Sequence, residues 1–99
     1  MSAYVIFQAD VLDADQYERY RASAARTVVA AGGRYIARGG DVVTLEGDAP
    51  LGRTVVLEFP SMQAALDWYR SDDYAEARKL REGAAQARVF IVDGIETPT

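Results

Sequence analysis

Residues 54–80 read TVVLEFPSMQAALDWYRSDDYAEARKL, which passes from a strand signal into two helix signals. The β-branched residues at 54–59 predict a strand, and Pro60 ends it because proline has no backbone N–H. Ser61 is a favoured helix N-cap. Apolar residues then recur at helical spacing: Met62, Ala65, Leu66 and Tyr69. Ser71 is a second N-cap with two aspartates behind it, so the pattern predicts two short helices separated by a break.

The chain before this stretch carries the same order of signals. Residues 4–11 are rich in aromatic and β-branched side chains and predict a strand. Asp13, with Gln16 three positions later, predicts the start of a helix. The helix has an apolar stripe: Tyr17, Tyr20, Ala24, Val28 and Ala31. Gly32-Gly33 ends it because glycine adopts the left-handed C-cap conformation without strain.

A hairpin and a closing strand complete the predicted elements. Residues 34–38 and 42–46 are two extended runs around Gly39-Gly40-Asp41, which suits a tight turn, and a polar loop follows at 47–52. Residues 89–92 predict the last strand, before a polar tail at 96–99. The order predicts an α+β fold, with helices on one face of a sheet of about four strands.

The amino-acid composition limits the classes of function that the chain can have. The 99 residues are 49% hydrophobic and 26% charged, which predicts one folded domain over residues 1–99. The chain has no cysteine or histidine, which excludes thiol nucleophiles, Cys/His zinc sites and Ser-His-Asp triads. We expect no metal site. A net charge of −4 without a basic run argues against a nucleic-acid partner.

The pattern of apolar residues predicts where the protein works and how it assembles. The first residues lack the basic flank of a secretory signal, and no stretch approaches the roughly 20 apolar residues that cross a bilayer. We therefore expect a cytoplasmic protein with no membrane partner. Both faces of the strands at 4–11 and 54–59 are apolar, and helices cover only one face. This predicts a homodimer that packs sheet to sheet.

Several short motifs occur in a fixed order along nearly the whole chain. They are Arg38-Gly39-Gly40, Leu45-Glu46-Gly47, Glu58-Phe59-Pro60-Ser61, Trp68-Tyr69-Arg70-Ser71 with Tyr74, Arg81 and Gly83-Ala84. In this order they resemble the bacterial domain of unknown function 1330 family. The resemblance implies a ferredoxin-like βαββαβ protomer with an antiparallel sheet, and a dimeric α/β barrel built from two such sheets. Relatives in that superfamily include cofactor-free monooxygenases, muconolactone isomerase-like enzymes and haem proteins. The haem branch typically uses a histidine ligand, so we expect no cofactor here.

Glu58 is the candidate catalytic residue. It alternates with Leu57 and Phe59, so we expect it on a covered face, where an unpaired carboxylate is costly. Arg38 or Arg81 is the expected partner. If burial raises its pKa, Glu58 could act as a general base, and otherwise it is a structural acid.

Arg81 is a candidate for binding an anion. It follows Tyr74 by seven positions and Ala77 by four, so we expect it beside the apolar face of the second short helix. There it either binds a carboxylate or enolate, or forms an ion pair with Glu58 or Asp10.

Arg38 is the second candidate for an anion, because it precedes the glycine turn. The strand pattern predicts that it shares a face with Arg34 and Ile36. Its alternative role is a cross-strand or cross-dimer ion pair, and the turn glycines are explained by the hairpin alone.

The other candidate binding residues are aromatic: Tyr17, Trp68, Tyr69 and Tyr74. Such a set forms either the core or the wall of a pocket. The superfamily resemblance favours a pocket for an aromatic acid or a polyketide-like ligand, since a buried arginine and a glutamate would lie beside these rings.

Two functions fit these residues. In the first, a helix-sheet pocket binds and transforms a small organic anion, as a cofactor-free isomerase or monooxygenase-like enzyme, with an arginine fixing the anion and Glu58 or a tyrosine moving a proton. In the second, the chain is a non-catalytic small-molecule-binding or structural homodimer module. The lack of histidine and cysteine favours the second, and the apparently buried charges favour the first.

Overall fold

A computed structural model describes residues 2–95, so the predicted polar tail at 96–99 lies outside the described residues. The elements follow the order β-α-β-β-α-α-β. They are β1 (Ala3–Val11), α1 (Ala14–Ala30), β2 (Arg34–Arg38), β3 (Arg53–Phe59), α2 (Met62–Arg70), α3 (Asp72–Lys79) and β4 (Ala85–Asp93). The closing strand is longer than the predicted 89–92, because its first half continues the pairing with β1 down to Ala85.

The four strands form one antiparallel sheet in the order β2-β3-β1-β4. The first strand lies in the middle and pairs with β3 on one side and with β4 on the other. Three helices pack against one face of this sheet. The arrangement confirms the predicted ferredoxin-like α+β fold.

The two faces of the sheet differ in what covers them. On the inner face, the helices bury alternate residues of β1: Ala3, Val5, Phe7 and Ala9. The outer face carries Tyr4, Ile6 and Val56 in the middle strands, with Phe90 and Val92 on β4. No described helix packs on this outer face, and Phe90 remains 51% exposed.

The helices begin where the sequence predicts. The side chains of Asp13, Ser61 and Ser71 each accept a hydrogen bond from a backbone N–H three residues later, at 3.0–3.1 Å. Gly32 ends α1 with a φ of 84°. Within residues 2–95 no helix combines the length and the apolar character that a membrane span requires. The expected cytoplasmic location stays a prediction.

The predicted hairpin is wrong in its second half. Residues 42–46 form no strand, and β2 pairs instead with β3. Because β3 occupies the place beside β2, the run between them becomes part of a long connection. Its apolar side chains are left exposed: Val42, Val43 and Leu45 are 48%, 79% and 89% exposed.

A β-bulge in β2 redirects Arg38. Arg34 lies opposite Glu58, but the register shifts between Tyr35 and Ala37, and Arg38 lies opposite Val55. Val55 belongs to the buried inner face, so Arg38 points to the helix side while Arg34 points outward. The predicted shared face for these two arginines is therefore wrong, because one extra residue reverses the alternation of a strand.

Candidate functional site

A small cavity lies between α1 and the inner face of the sheet. Its volume is about 30 Å³, which admits a water molecule or a few heavy atoms. The apolar wall is formed by residues that are at most 7% exposed: Phe7, Ala24, Val28, Val55, Leu57 and Trp68. The interior of the cavity is therefore mostly apolar.

Three arginines and three tyrosines complete the lining: Arg21, Arg38, Arg53, Tyr17, Tyr20 and Tyr35. The guanidinium of Arg38 stacks on the ring of Tyr35 at 4.3 Å, and that of Arg53 lies 6.0 Å from the ring of Tyr17. All three arginines are more exposed than the apolar lining residues. Positive charge therefore collects at the mouth of the cavity.

The arginines at the mouth have few partners within residues 2–95. Arg21 pairs with Glu18 on its own helix, whereas Arg38 and Arg53 form no ion pair with any described residue. The Nε atoms of Arg21 and Arg53 are buried and have no hydrogen-bond partner there. No carboxylate of the described chain lines the cavity. Buried donors without a partner are costly, so the mouth favours an anion.

Gly39 allows Arg53 to take this position. The glycine has a φ of 71°, and its backbone N–H donates to the carbonyl of Thr54 at 3.0 Å. A Cβ atom at residue 39 would overlap the guanidinium of Arg53. The glycine thus serves the site as well as the end of β2.

The tyrosines at the cavity are hydrogen-bond donors at neutral pH. Burial raises the pKa of Tyr17 and Tyr35, although the nearby charges of Arg53 and Arg38, respectively, oppose the increase. Burial also raises the pKa of Tyr20, and the hydroxyl of Tyr74 at 2.7 Å reinforces this effect. All three phenols therefore stay protonated and do not act as bases near pH 7.

Arg81 lies behind the cavity and does not line it. The helix α3 ends at Lys79, so Arg81 occupies the following turn and the predicted helical position is wrong. Its guanidinium still lies 5.4 Å from the ring of Phe7 and 5.5 Å from that of Tyr20. Burial disfavours its charge, but the hydroxyls of Tyr74 and Tyr20 stabilise it and its pKa is raised. Within residues 2–95 it forms no ion pair.

Glu58 lies on the outer face, away from the cavity. It accepts hydrogen bonds from Arg34 Nε at 2.6 Å and from the Tyr4 hydroxyl at 3.3 Å. The expected partners Arg38 and Arg81 are wrong, because the strand alternation turns Glu58 toward the side without helices. The hydrogen bond from Arg34 holds the pKa of Glu58 below its usual value, which is the opposite of the shift that a general base needs.

The predicted aromatic residues divide between the cavity and the core. Trp68 lines the cavity and donates its indole N–H to Thr27 Oγ1 at 3.0 Å. Tyr74 is fully buried in the core, and Tyr69 accepts from Arg78 at 2.6 Å.

The cavity thus brings together three of the predicted site residues: Tyr17, Arg38 and Trp68. Four others do not line it: Glu58, Tyr69, Tyr74 and Arg81. Among the lining residues with polar or charged groups, four are not predicted by the sequence: Tyr20, Arg21, Tyr35 and Arg53. Helical spacing from Tyr17 to Arg21, and alternation of Arg53 with Val55 and Leu57, are the signals that could have found two of these. No group of three or more metal-ligating side chains occurs among residues 2–95.

Solved structures with the same fold include proteins of known and unknown activity. A protein of unknown function from Rhodopseudomonas palustris is similar at 19% identity and a TM-score of 0.75, over 97% of this chain and 84% of that chain. SnoaB, a cofactor-independent oxygenase from Streptomyces nogalater, is similar at 10% identity and a TM-score of 0.65, over 97% and 95%. A dimeric ferredoxin-like protein of unknown function from Thermobifida fusca is similar at 15% identity and a TM-score of 0.64, over 94% and 91%. At these identities the likeness shows the fold alone.

No curated protein matches the sequence. A family model does match, and it covers residues 2–95. Because that match spans nearly the whole chain, the chain belongs to the family defined by the domain of unknown function DUF1330.

Proposed function

We propose that the chain binds a small organic anion in the cavity between α1 and the sheet, with Arg53 and Arg38 holding the charged group. The observation that carries the proposal is the buried Nε of Arg53, which has no partner among the described residues and lies at the mouth of an apolar cavity. A carboxylate or enolate would accept from these guanidinium groups through charge-assisted hydrogen bonds.

The chemistry around the cavity favours binding over proton transfer. Its tyrosines are protonated near pH 7, and Glu58 is paired with Arg34 on the opposite face of the sheet. Among residues 2–95 there is thus no base at the cavity that could deprotonate a ligand.

A cofactor-free reaction is the second candidate, and one feature of the site supports it. The guanidinium groups would stabilise an enolate that the ligand itself supplies, which needs no base from the protein. The fold also occurs in SnoaB, a cofactor-independent oxygenase. Oxygen uptake by the protein mixed with a bound anion, above the rate with the Arg53→Leu variant, would establish this second function.

Thermal shift with a set of organic carboxylates tests binding. A ligand present at 100 times its dissociation constant should add about 2.7 kcal/mol to the stability of the fold. The Arg53→Leu variant should lose these shifts, whereas Arg34→Leu on the outer face should retain them. Equal shifts in both variants, or none in the unmodified protein, would contradict the proposal.

We also propose that two copies of the chain associate through the outer face of the sheet. Ile6, Val56, Phe90 and Val92 form an apolar surface there, and a chain of 99 residues is too short to cover both faces of its sheet. The similar protein from Thermobifida fusca is itself dimeric.

Sedimentation of the protein at micromolar concentration tests the assembly. The expected mass is twice that of the 10.8 kDa chain. Phe90→Lys should give a folded monomer, because it places a charge within the apolar surface. A monomeric unmodified protein would rule out this assembly.

A further inference from the structure

The polarity of the cavity changes with depth. Arg38, Arg53 and Tyr35 lie at its solvent side. The lining residues farther in are apolar apart from two tyrosine hydroxyls and one indole: that of Tyr17, that of Tyr20, which is bonded to Tyr74, and that of Trp68, whose N–H is bonded to Thr27. A ligand that satisfies both regions needs one charged end and one apolar end.

We infer that the natural ligand is a monoacid with a slender apolar tail, bound with its carboxylate at the mouth and its tail in the interior. This inference rests on the proposed anion binding and names the class of anion. The carboxylate would accept from Arg53 and Arg38, and the tail would contact Val28, Val55 and the other apolar residues of the wall.

A second charge at the inner end of the ligand has no partner. Arg81 contacts the rings of Phe7 and Tyr20 from outside and does not line the cavity, so it offers no partner there. Burial of an unpaired carboxylate among carbon atoms is strongly unfavourable. The geometry therefore selects against diacids.

The size of the cavity sets the shape of the tail. A volume of about 30 Å³ accommodates a tail of about one or two carbon atoms, whereas benzene requires a larger void of about 150 Å³. A small inorganic anion would occupy the mouth and leave the apolar wall without a partner. The class that uses both regions is the short aliphatic acid.

Isothermal titration with straight-chain carboxylates, from acetate to octanoate, tests the inference. Each added methylene should tighten binding about fourfold, until the interior is filled and the gain stops. The dicarboxylate and the primary alcohol that match propanoate in length should each bind at least tenfold more weakly than propanoate.

Two variants separate the two ends of the ligand. Arg53→Leu should weaken every carboxylate by a similar factor, because it removes a contact to the charged group. Ala24→Val adds two methyl groups, enough to fill about 30 Å³ of the interior, so it should abolish the gain with chain length. The chain-length series in the unmodified protein stands by itself if that variant fails to fold.

The outcomes distinguish this inference from the function on which it rests. If acetate, phosphate and propanoate bind equally well and Arg53→Leu weakens all three, the anion site is correct and the ligand class is wrong. If propanedioate binds as tightly as propanoate, the head-outward orientation is wrong. If no carboxylate of any length binds, the proposed function fails as well.

Discussion

Arg34 on the outer face of the sheet and the pair Arg38 and Arg53 on the inner face have opposite surroundings. On the outer face, Arg34 donates to Glu58 at 2.6 Å, and the Tyr4 hydroxyl donates to the second oxygen of the same carboxylate. On the inner face, Arg38 and Arg53 stand beside tyrosine rings without an acidic partner among residues 2–95. The ion pair with Glu58 accounts for Arg34 as a residue that stabilises the fold. Arg38 and Arg53 line one cavity without such a partner, and a bound anion would account for their position.

The largest predicted effect is a difference in stability between truncating a ring on the buried inner face and truncating one on the exposed outer face. Phe59→Ala should destabilise the fold by about 3–5 kcal/mol, because the ring is fully buried and its removal leaves a cavity. Phe90→Ala is the matched change on the outer face, where the ring is half exposed. Its effect on the monomer should be much smaller. Urea unfolding at several protein concentrations measures both, and equal losses in a dilute, monomeric sample would contradict the difference between the faces.

The hydroxyl pair in the inner layer should give the next largest effect. Tyr20→Phe or Tyr74→Phe leaves the other buried hydroxyl without its 2.7 Å partner, at a cost of about 1–3 kcal/mol. The double variant should lose less than the sum of the two single losses, because the hydrogen bond between the two hydroxyls can be lost only once. A double-mutant cycle by thermal unfolding measures this coupling. Additive losses would mean that the two hydroxyls do not interact.

Gly39→Ala tests whether the position of Arg53 on the inner face matters for anion binding. An alanine there takes a left-handed conformation, which costs roughly 1–2 kcal/mol, and its Cβ also displaces Arg53. Gly47→Ala is a control with the same strain, since Gly47 has a φ of 76° and no atom within 4 Å of an added Cβ. Both variants should lose similar stability, but only Gly39→Ala should weaken carboxylate binding in a titration. Equal binding by both would show that the position of Arg53 does not matter.

The smallest effect concerns the paired arginine of the outer face and depends on pH. Arg34 lowers the pKa of Glu58 from its ordinary value of 4.5, so the pair stabilises the folded state when the carboxylate is ionised. That contribution should be complete above pH 4.5 and should disappear as the pH falls through the lowered pKa of the folded state. Glu58→Gln should therefore be slightly less stable than the unmodified protein near neutral pH, and equally stable in acid. If the stability difference between Glu58→Gln and the unmodified protein grew as the pH fell, the predicted role of the ion pair would be contradicted.

The order of elements could be predicted from local signals, and the position of the site could not. The helix starts could be predicted from Asp13, Ser61 and Ser71, because an N-cap needs only a side-chain oxygen and a backbone N–H three residues later. The run at 42–46 was misassigned because a strand depends on a partner, and β3 takes the place beside β2.

The sequence did not predict which residues line the site, because the direction of a strand side chain depends on register and on which face is covered. Alternation along β2 places Arg38 with Arg34, and one extra residue at Ile36 reverses that result. Glu58 was assigned to the site because both faces of β3 are apolar, and only the packed helices show which one is covered. The resemblance to a family gave the fold correctly and carried no information on these side-chain directions.

The bulge in β2 also bears on the risk that the protein forms fibrils. Both β2 and β4 lie at the edges of the sheet, where free N–H and C=O groups can recruit a strand from another molecule. The shifted register at Ile36 interrupts this row on β2. In contrast, β4 runs for nine residues in unbroken register with β1. A strand from another molecule should therefore add to β4, Ala85–Asp93. The extra residue in β2, which also turns Arg38 inward, disfavours the addition of a strand at that edge.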